Sequence, residues 1–222
     1  MAINKEAYQT IKKELDAKQV ILVAVSKKKS VEDILELYNL GQRDFAENYV
    51  QELVDKTAQL PKDIRWHFIG HLQTNKVKLI LPFVQLIHGV DSLKLLKEIN
   101  KQAEKTGMII DCLLQVHIAQ EETKYGFNED ELKLMISQFD DSAFNNIRVC
   151  GLMGVASFTE NMNLVREEFK KLKAIFNQYA ELVTRNSKPE TLSMGMSSDY
   201  KIAIEAGSNM VRIGSLLFGE RV

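Results

Sequence analysis

The sequence predicts an α/β chain folded as a (β/α)8 TIM barrel with one extra N-terminal helix. Three observations carry this. Short apolar runs alternate with helical patterns along the whole chain, and strict alternation of that kind marks a parallel sheet. The runs are continuously apolar, as in strands covered on both faces. Eight of them fit into 222 residues, near the lower size limit of such a barrel. The rival is an open doubly wound sheet. No G-x-G-x-x-G follows the first strand, which weakens its dinucleotide-binding version.

The elements follow in order. The stretch before Val20 reads as the extra helix. "VILVAVS" is the first strand, and "VEDILELYNLG" is a helix closed by Gly41. "RDFAEN" is a short second strand, followed by helical "YVQELVDKTAQL", which stops near Pro61. "RWHFIG" is the third strand, and "QTNKVKLILPF" is a helix broken near Pro82. "VQLIHGVD" is the fourth, with "SLKLLKEINKQAEKTG" running from a cap at Asp91 or Ser92 to Gly107. "MIIDCLLQVHIA" is the fifth, and Asn128 opens the helix "NEDELKLMISQF". "IRVCGLMGVA" precedes the long helix "NLVREEFKKLKAIFNQYAEL". "TLSMG", then helical "SDYKIAIEAG", then "MVRIGSLLFG" complete the series. No low-complexity linker interrupts it, so residues 1–222 read as a single domain.

Composition narrows the function. A formal net charge of −1 leaves no basic excess to meet a nucleic-acid backbone. The apolar runs fall short of the roughly 20 residues a spanning helix needs. The N-terminal stretch is too polar for a signal peptide. Cys112 and Cys150 sit in apolar segments and read as buried structural thiols, with no disulfide framework. A cytoplasmic protein without membrane attachment is expected.

Barrel chemistry sits at the C-terminal ends of the strands. Lys27 ends the first strand, an unexpected address for a merely solvated amine. Asn48, His67, His71, Met153, Ser193 and Arg212 lie on or just past other strands and could converge with it. Each also has a plain structural role available, as cap, core filler or satisfied strand residue. The loops "GMSSD" and "IGS" follow the seventh and eighth strands, where barrels often hold a phosphate. Glycine lets a backbone approach, serine adds donors, and helix starts carry unpaired N–H groups. An amine facing an anion cradle suits a phosphorylated aldehyde, either pyridoxal 5′-phosphate (PLP) or the substrate of a sugar-phosphate aldolase. No cluster calls for a metal.

Six stretches resemble, in order, the pyridoxal phosphate homeostasis proteins, also called the YggS or PROSC family. They are "AVSK" (24–27), "FAENYVQE" (45–52), "WHFIGHLQTNK" (66–76), "GLMG" (151–154), "LSMGMSSD" (192–199) and "VRIGSLLFGER" (211–221). The resemblance implies a barrel similar to the N-terminal domain of alanine racemase, PLP fold type III. It implies PLP held by Lys27 as an internal aldimine, with Lys28 and Lys29 as local additions. It puts the phosphate on Ser197, Gly214 and Ser215, sets Arg212 against the pyridine nitrogen, and lines the pocket with Asn48, His67, Met153 and Ser193.

A guanidinium beside the ring nitrogen opposes a second positive charge there, so the ring is a poor electron sink and transamination is not expected. A racemase needs a second base, and the sequence ends at Val222 with the barrel just closed, so no roofing domain is expected. The expectation is a carrier or buffer of PLP in vitamin B6 homeostasis, not an enzyme. It is expected to act as a monomer, with PLP-dependent apoenzymes as the class of recipient. The alternative is a PLP-dependent racemase or related enzyme with His67 or Tyr125 as second base. A third reading is an aldolase that uses Lys27 without PLP.

Overall fold

A computed structural model of the chain describes residues 3–121, 125–137, 143–180 and 187–219. The ends of the expected helices after the fifth and sixth strands lie outside these residues, as do Glu220 and Arg221 of the last motif.

Eight parallel strands close into a barrel in chain order, β1 beside β8. They are β1 (Ile21–Val25), β2 (Asp44–Glu47), β3 (Arg65–Phe68), β4 (Val84–Val90), β5 (Ile110–Val116), β6 (Ile147–Gly154), β7 (Ser187–Ser193) and β8 (Met210–Ile213). The connecting helices are α2 (Val31–Asn39), α3 (Val50–Gln59), α4 (Val77–Ile80), α5 (Leu93–Thr106), α6 (Glu129–Ser137), α7 (Met162–Ala180), α8 (Tyr200–Glu205) and α9 (Ser215–Phe218). The extra helix α1 (Lys5–Ala17) precedes them. Among the described residues no helix is long and apolar enough to cross a membrane.

Local chemistry fixes most boundaries as the sequence predicts. Ser30 caps α2 by accepting from Asp33 N–H (3.1 Å). Gly41 N–H returns to Tyr38 O (2.9 Å) to close it. Ser92, rather than Asp91, caps α5 through Leu95 N–H (3.3 Å). Gly107 ends α5 at φ 64°, a region a side chain resists. Asn128 and Glu131 form a reciprocal capping box at α6, with bonds of 2.8 and 2.9 Å.

Two elements differ. The single helix expected after β3 is a 3-10 turn (Thr74–Lys76) running into one turn of α4. No side chain caps either piece, and Pro82 cannot continue the helix. β7 begins four residues earlier than "TLSMG" suggests, pairing Ser187 with Val149 across a register shift. Its first half, with Pro189 and Glu190, lacks the apolar run that marks the other strands.

Strand side chains alternate between two cores. Leu22, Phe45, Trp66, Phe68, Ile87, Leu114, Leu152 and Leu192 face the helices. Val23, Ala46, Leu86, Leu113, Met153 and Met210 fill the barrel interior, with Val25 and Ile69 packed against them. The same interior faces carry His67, His88, Ser193 and Arg212, all buried.

Candidate functional site

Lys27 follows β1 at the C-terminal mouth and continues the inward parity of Val23 and Val25. Charged residues outside the barrel wall hold its turn. The Lys56 ammonium donates to Ser26 O, Glu47 Oε1 and Glu52 Oε1, each at 2.7 Å. Ser26 Oγ donates to Glu47 Oε1 (2.6 Å), and Lys28 N–H donates to Glu52 Oε1 (2.5 Å). These bonds offset the left-handed backbone of Lys28 (φ 60°), a conformation that costs a non-glycine residue on the order of 1–3 kcal/mol. Glu47 is fully buried, and burial pushes its carboxyl up to about 7 against the opposing pull of Lys56. The three lysines of the run are thereby distinguished. Lys29 Nζ donates to Phe218 O (2.9 Å) at the end of α9, Lys28 is exposed, and Lys27 is partly buried.

Glu47, Glu52 and Lys56 were not singled out from the sequence. The two glutamates lie inside "FAENYVQE", and Lys56 stands four residues past Glu52, the spacing of a helical ion pair.

Asn48 continues the inward parity of β2 past Ala46. Its Oδ1 is buried without a hydrogen-bond partner among the described residues. Gly70, just past β3, presses on its backbone, since a Cβ there would overlap the Asn48 carbonyl. Gly70→Ala is expected to displace Asn48 and to destabilise the fold by about 1–3 kcal/mol, the usual cost of overpacking. A urea titration measures this, and an unchanged midpoint would refute the close approach.

The two glycine-serine loops meet beside β1. Gly214 N–H donates to Ser197 Oγ (3.3 Å), joining the loop after β7 to the loop after β8. Asp199 Oδ1 accepts from Met196 N–H (2.6 Å), which fixes the first loop. Gly214 lies against the end of β1, where an added Cβ would stand 3.2 Å from Val25 O. Ser215 begins α9, whose first amides have no intrahelical acceptor. Lys27 and both loops therefore border one stretch of the mouth.

Arg212 lies below them on the inward face of β8, beside Val23. Burial lowers its pKa to about 10, partly opposed by Asp199, so it stays charged at neutral pH. Nη1 donates to Ser193 O (2.8 Å) and Ser193 Oγ (2.7 Å), and Nη2 to Gly154 O (2.9 Å). A guanidinium has five N–H donors. The remaining two, Nε–H and one Nη2–H, meet no acceptor among the described residues.

His67 sits elsewhere than the mouth. It is buried within the barrel, bonded through Nδ1 to His88 Nε2 (2.9 Å) and through Nε2 to Asp44 Oδ1 (3.1 Å). With Asp44, Asp111, Arg148 and Cys150 it lines a cavity of about 380 Å³ at the N-terminal end. Ser193 is buried behind Arg212, and Met153 belongs to the apolar interior. His71 remains at the mouth, bonded to Asp91 (2.8 Å) and stacked on Tyr125 at 4.1 Å. Cys112 is buried, whereas Cys150 is only partly so, and both are free thiols.

The family profile described as "Alanine racemase, N-terminal domain" matches residues 4–222. The chain is 42% identical over 201 residues to the "Pyridoxal phosphate homeostasis protein" of Aquifex aeolicus (strain VF5), covering 90% of this chain and 86% of that one. The chain belongs to the pyridoxal phosphate homeostasis protein family. The protein of the same name from Synechocystis sp. (strain ATCC 27184 / PCC 6803 / Kazusa) is 38% identical over 208 residues, 91% of this chain and 92% of that one. Among solved structures, PipY of Synechococcus elongatus PCC7942 with PLP bound superposes with a TM-score of 0.87 at 31% identity, over 96% of this family member and 99% of PipY.

The groups at the mouth of this family member fit PLP. A buried guanidinium offers two spare donors, Asn48 offers a buried unpaired acceptor, and the linked serine-glycine loops suit a phosphate.

Proposed function

We propose that this protein binds PLP at the C-terminal mouth of the barrel and serves as its carrier or buffer in vitamin B6 homeostasis. One observation carries the reading: Lys27 lies on the inward side of β1, with Arg212 deeper on the neighbouring strand, level with Val23, and the Ser197–Gly214 bridge beside the end of β1. PLP brings an aldehyde that can link covalently to an amine, a phosphate, and an aromatic ring with a basic nitrogen. Lys27 supplies the amine. Ser197, Gly214 and Ser215 supply donors for the phosphate. The spare donors of Arg212 face the ring nitrogen and keep it unprotonated. Asn48 orients the ring edge, and Met153 contributes apolar floor. Ser193 and His67 belong to this pocket through Arg212 rather than by contact.

Two features favour a carrier over an enzyme. Arg212, charged at neutral pH, disfavours the protonated ring that carbanion chemistry exploits. Of the candidate second bases, His67 has both nitrogens engaged inside the barrel, and Tyr125 is exposed and stacked on His71. The protein is proposed to act as one domain over residues 1–222, as a cytoplasmic monomer, with PLP-dependent apoenzymes as recipients.

Titration with PLP, followed by absorbance and gel filtration, tests binding. Pyridoxal, which lacks the phosphate, is expected to bind at least about tenfold more weakly, since charge-assisted bonds to the loops are lost. Equal affinity for the two would remove the phosphate assignment, and no retention of PLP would remove the function. Heavy-water exchange at the α-carbon of alanine or serine tests the enzyme reading. Exchange at about 1 s⁻¹ or faster, within the ordinary range of enzymes, would replace the carrier with a racemase-like enzyme.

A further inference from the structure

A continuous chain of side chains runs through the barrel from Arg212 to the opposite end. Arg212 Nη1 meets Ser193 Oγ at 2.7 Å, Ser193 Oγ meets His88 Nδ1 at 3.2 Å, and His88 Nε2 meets His67 Nδ1 at 2.9 Å. His67 Nε2 meets Asp44 Oδ1 at 3.1 Å, and Arg65 holds both oxygens of Asp44, at 2.7 and 2.5 Å. Ser193, His88, His67 and Arg212 are at most 3% exposed, so water does not substitute for these partners. The stations come from five different strands: β8, β7, β4, β3 and β2.

The two ends dictate which atom carries each proton. Arginine only donates. Asp44 only accepts: burial works to raise its pKa, but Arg65 and His67 hold it at about 2. Hence His67 carries its proton on Nε2. Arg65 already meets both Asp44 oxygens, so one proton on Nε2 completes the contact between His67 and Asp44. With its proton there, His67 accepts at Nδ1, and His88 donates from Nε2. His88 is held neutral by burial, with the positive charge of Arg212 acting in the same direction. Its Nδ1 is therefore an acceptor, and the Ser193 hydroxyl spends its single proton there. That leaves the Ser193 lone pairs to Arg212 alone.

We propose that Ser193, His88 and His67 are positioning residues, a one-way hydrogen-bond chain anchored on Asp44 that fixes the Arg212 guanidinium so that its two spare donors aim at the ligand. The opposite sense, with His88 Nδ1–H donating to Ser193, would turn the serine hydroxyl proton toward Nη1 and leave the guanidinium held by the Ser193 and Gly154 carbonyls alone. The proposal deepens the PLP reading and rests on it for the nature of the ligand, but the geometry of the chain does not depend on PLP.

Nitrogen-15 NMR of the ligand-free protein tests the chain without any ligand. His67 and His88 are both expected as neutral Nε2–H tautomers at pH 7, with the Arg212 N–H signals resolved because the guanidinium does not rotate. A Nδ1–H tautomer or an imidazolium at either ring would overturn the proposal. His88→Phe removes both ring nitrogens and is expected to average the Arg212 signals and weaken PLP retention about tenfold, the scale of one hydrogen bond to a charged group. His88→Asn sets Oδ1 near the lost Nδ1, still able to accept from Ser193, and is expected to restore resolved Arg212 signals and PLP affinity to within about threefold. Averaged signals in the Asn variant, or sharp ones in the Phe variant, would overturn the role of His88. Arg148→Met, at the N-terminal cavity but off the chain, is expected to leave the Arg212 signals unchanged, and averaging there would mean general loosening rather than this chain. If the unmodified protein fails to retain PLP, the ligand reading falls while the NMR arms still decide the chain.

Discussion

Lys27→Ala is expected to abolish covalent capture of PLP. Borohydride reduction of the PLP-loaded protein, then digestion and peptide mapping, should find one modified residue, Lys27, and none in the variant. Loss of the covalent link together with the amine should weaken retention by at least about a hundredfold, the upper end of what one hydrogen bond to a charged group supplies. The neighbouring amines do not replace it. Lys29 Nζ is committed to Phe218 O and Gly219 O at the end of α9. Lys28 has the outward parity, is exposed, and its backbone is tied to Glu52. Lys27→Arg keeps a cation but no competent nucleophile. It should lose the reducible adduct while retaining weak, phosphate-dependent binding. A full adduct on Lys28 or Lys29 in the Ala variant would show that the turn does not select the amine.

Lys56→Met should cost about 3–5 kcal/mol of stability, the scale of breaking a buried ion pair by removing one partner. Glu47 is fully buried, and its Oε2 already lacks a partner among the described residues. Losing the ammonium leaves Oε1 with Ser26 alone and frees the turn that carries Lys27. The deficit should depend on pH with a definite sign. Glu47 titrates at about 7 in the folded protein against an ordinary value of 4.5. The folded form therefore binds more protons, and this carboxyl's contribution to stability falls as pH rises from about 4.5 to about 7. Without Lys56, the largest influence lowering that value, the decline extends further toward alkaline pH. Urea midpoints of variant and parent should therefore lie closer at pH 6 than at pH 8. The double variant Lys56→Met/Glu47→Gln, which removes the charge, should recover much of the loss. A gap independent of pH would mean that lost packing, not the uncompensated carboxylate, sets the cost.

The fold was largely legible because its signals are local. Eight apolar runs, the caps at Ser92 and Asn128, and the stop at Gly107 each act over a few residues. The exceptions follow the same logic. β7 starts among polar residues because pairing with β6, not its own composition, makes it a strand. The segment after β3 is apolar enough for a helix but lacks a cap and meets Pro82, so only one α-helical turn forms. At the site, Lys27 and Asn48 could be read because strand parity carries their side chains inward past the last ladder residue. His67 has inward parity too, but parity gives no depth along the barrel axis, and its partners Asp44 and His88 hold it away from the mouth.

The amino-acid order alone determined a closed parallel barrel with an amine at the end of β1 and two serine-glycine loops after β7 and β8, since periodicity, caps and strand ends are written within short windows. Only the folded chain decided where Lys29 is committed, what tethers the turn of Lys27, and which groups stand behind Arg212. Those outcomes depend on contacts such as Lys29 with Phe218, Lys56 with Ser26, and His88 with Ser193. They join residues 189, 30 and 105 positions apart, and barrel closure brings them together in a dry interior where each proton has one place to go.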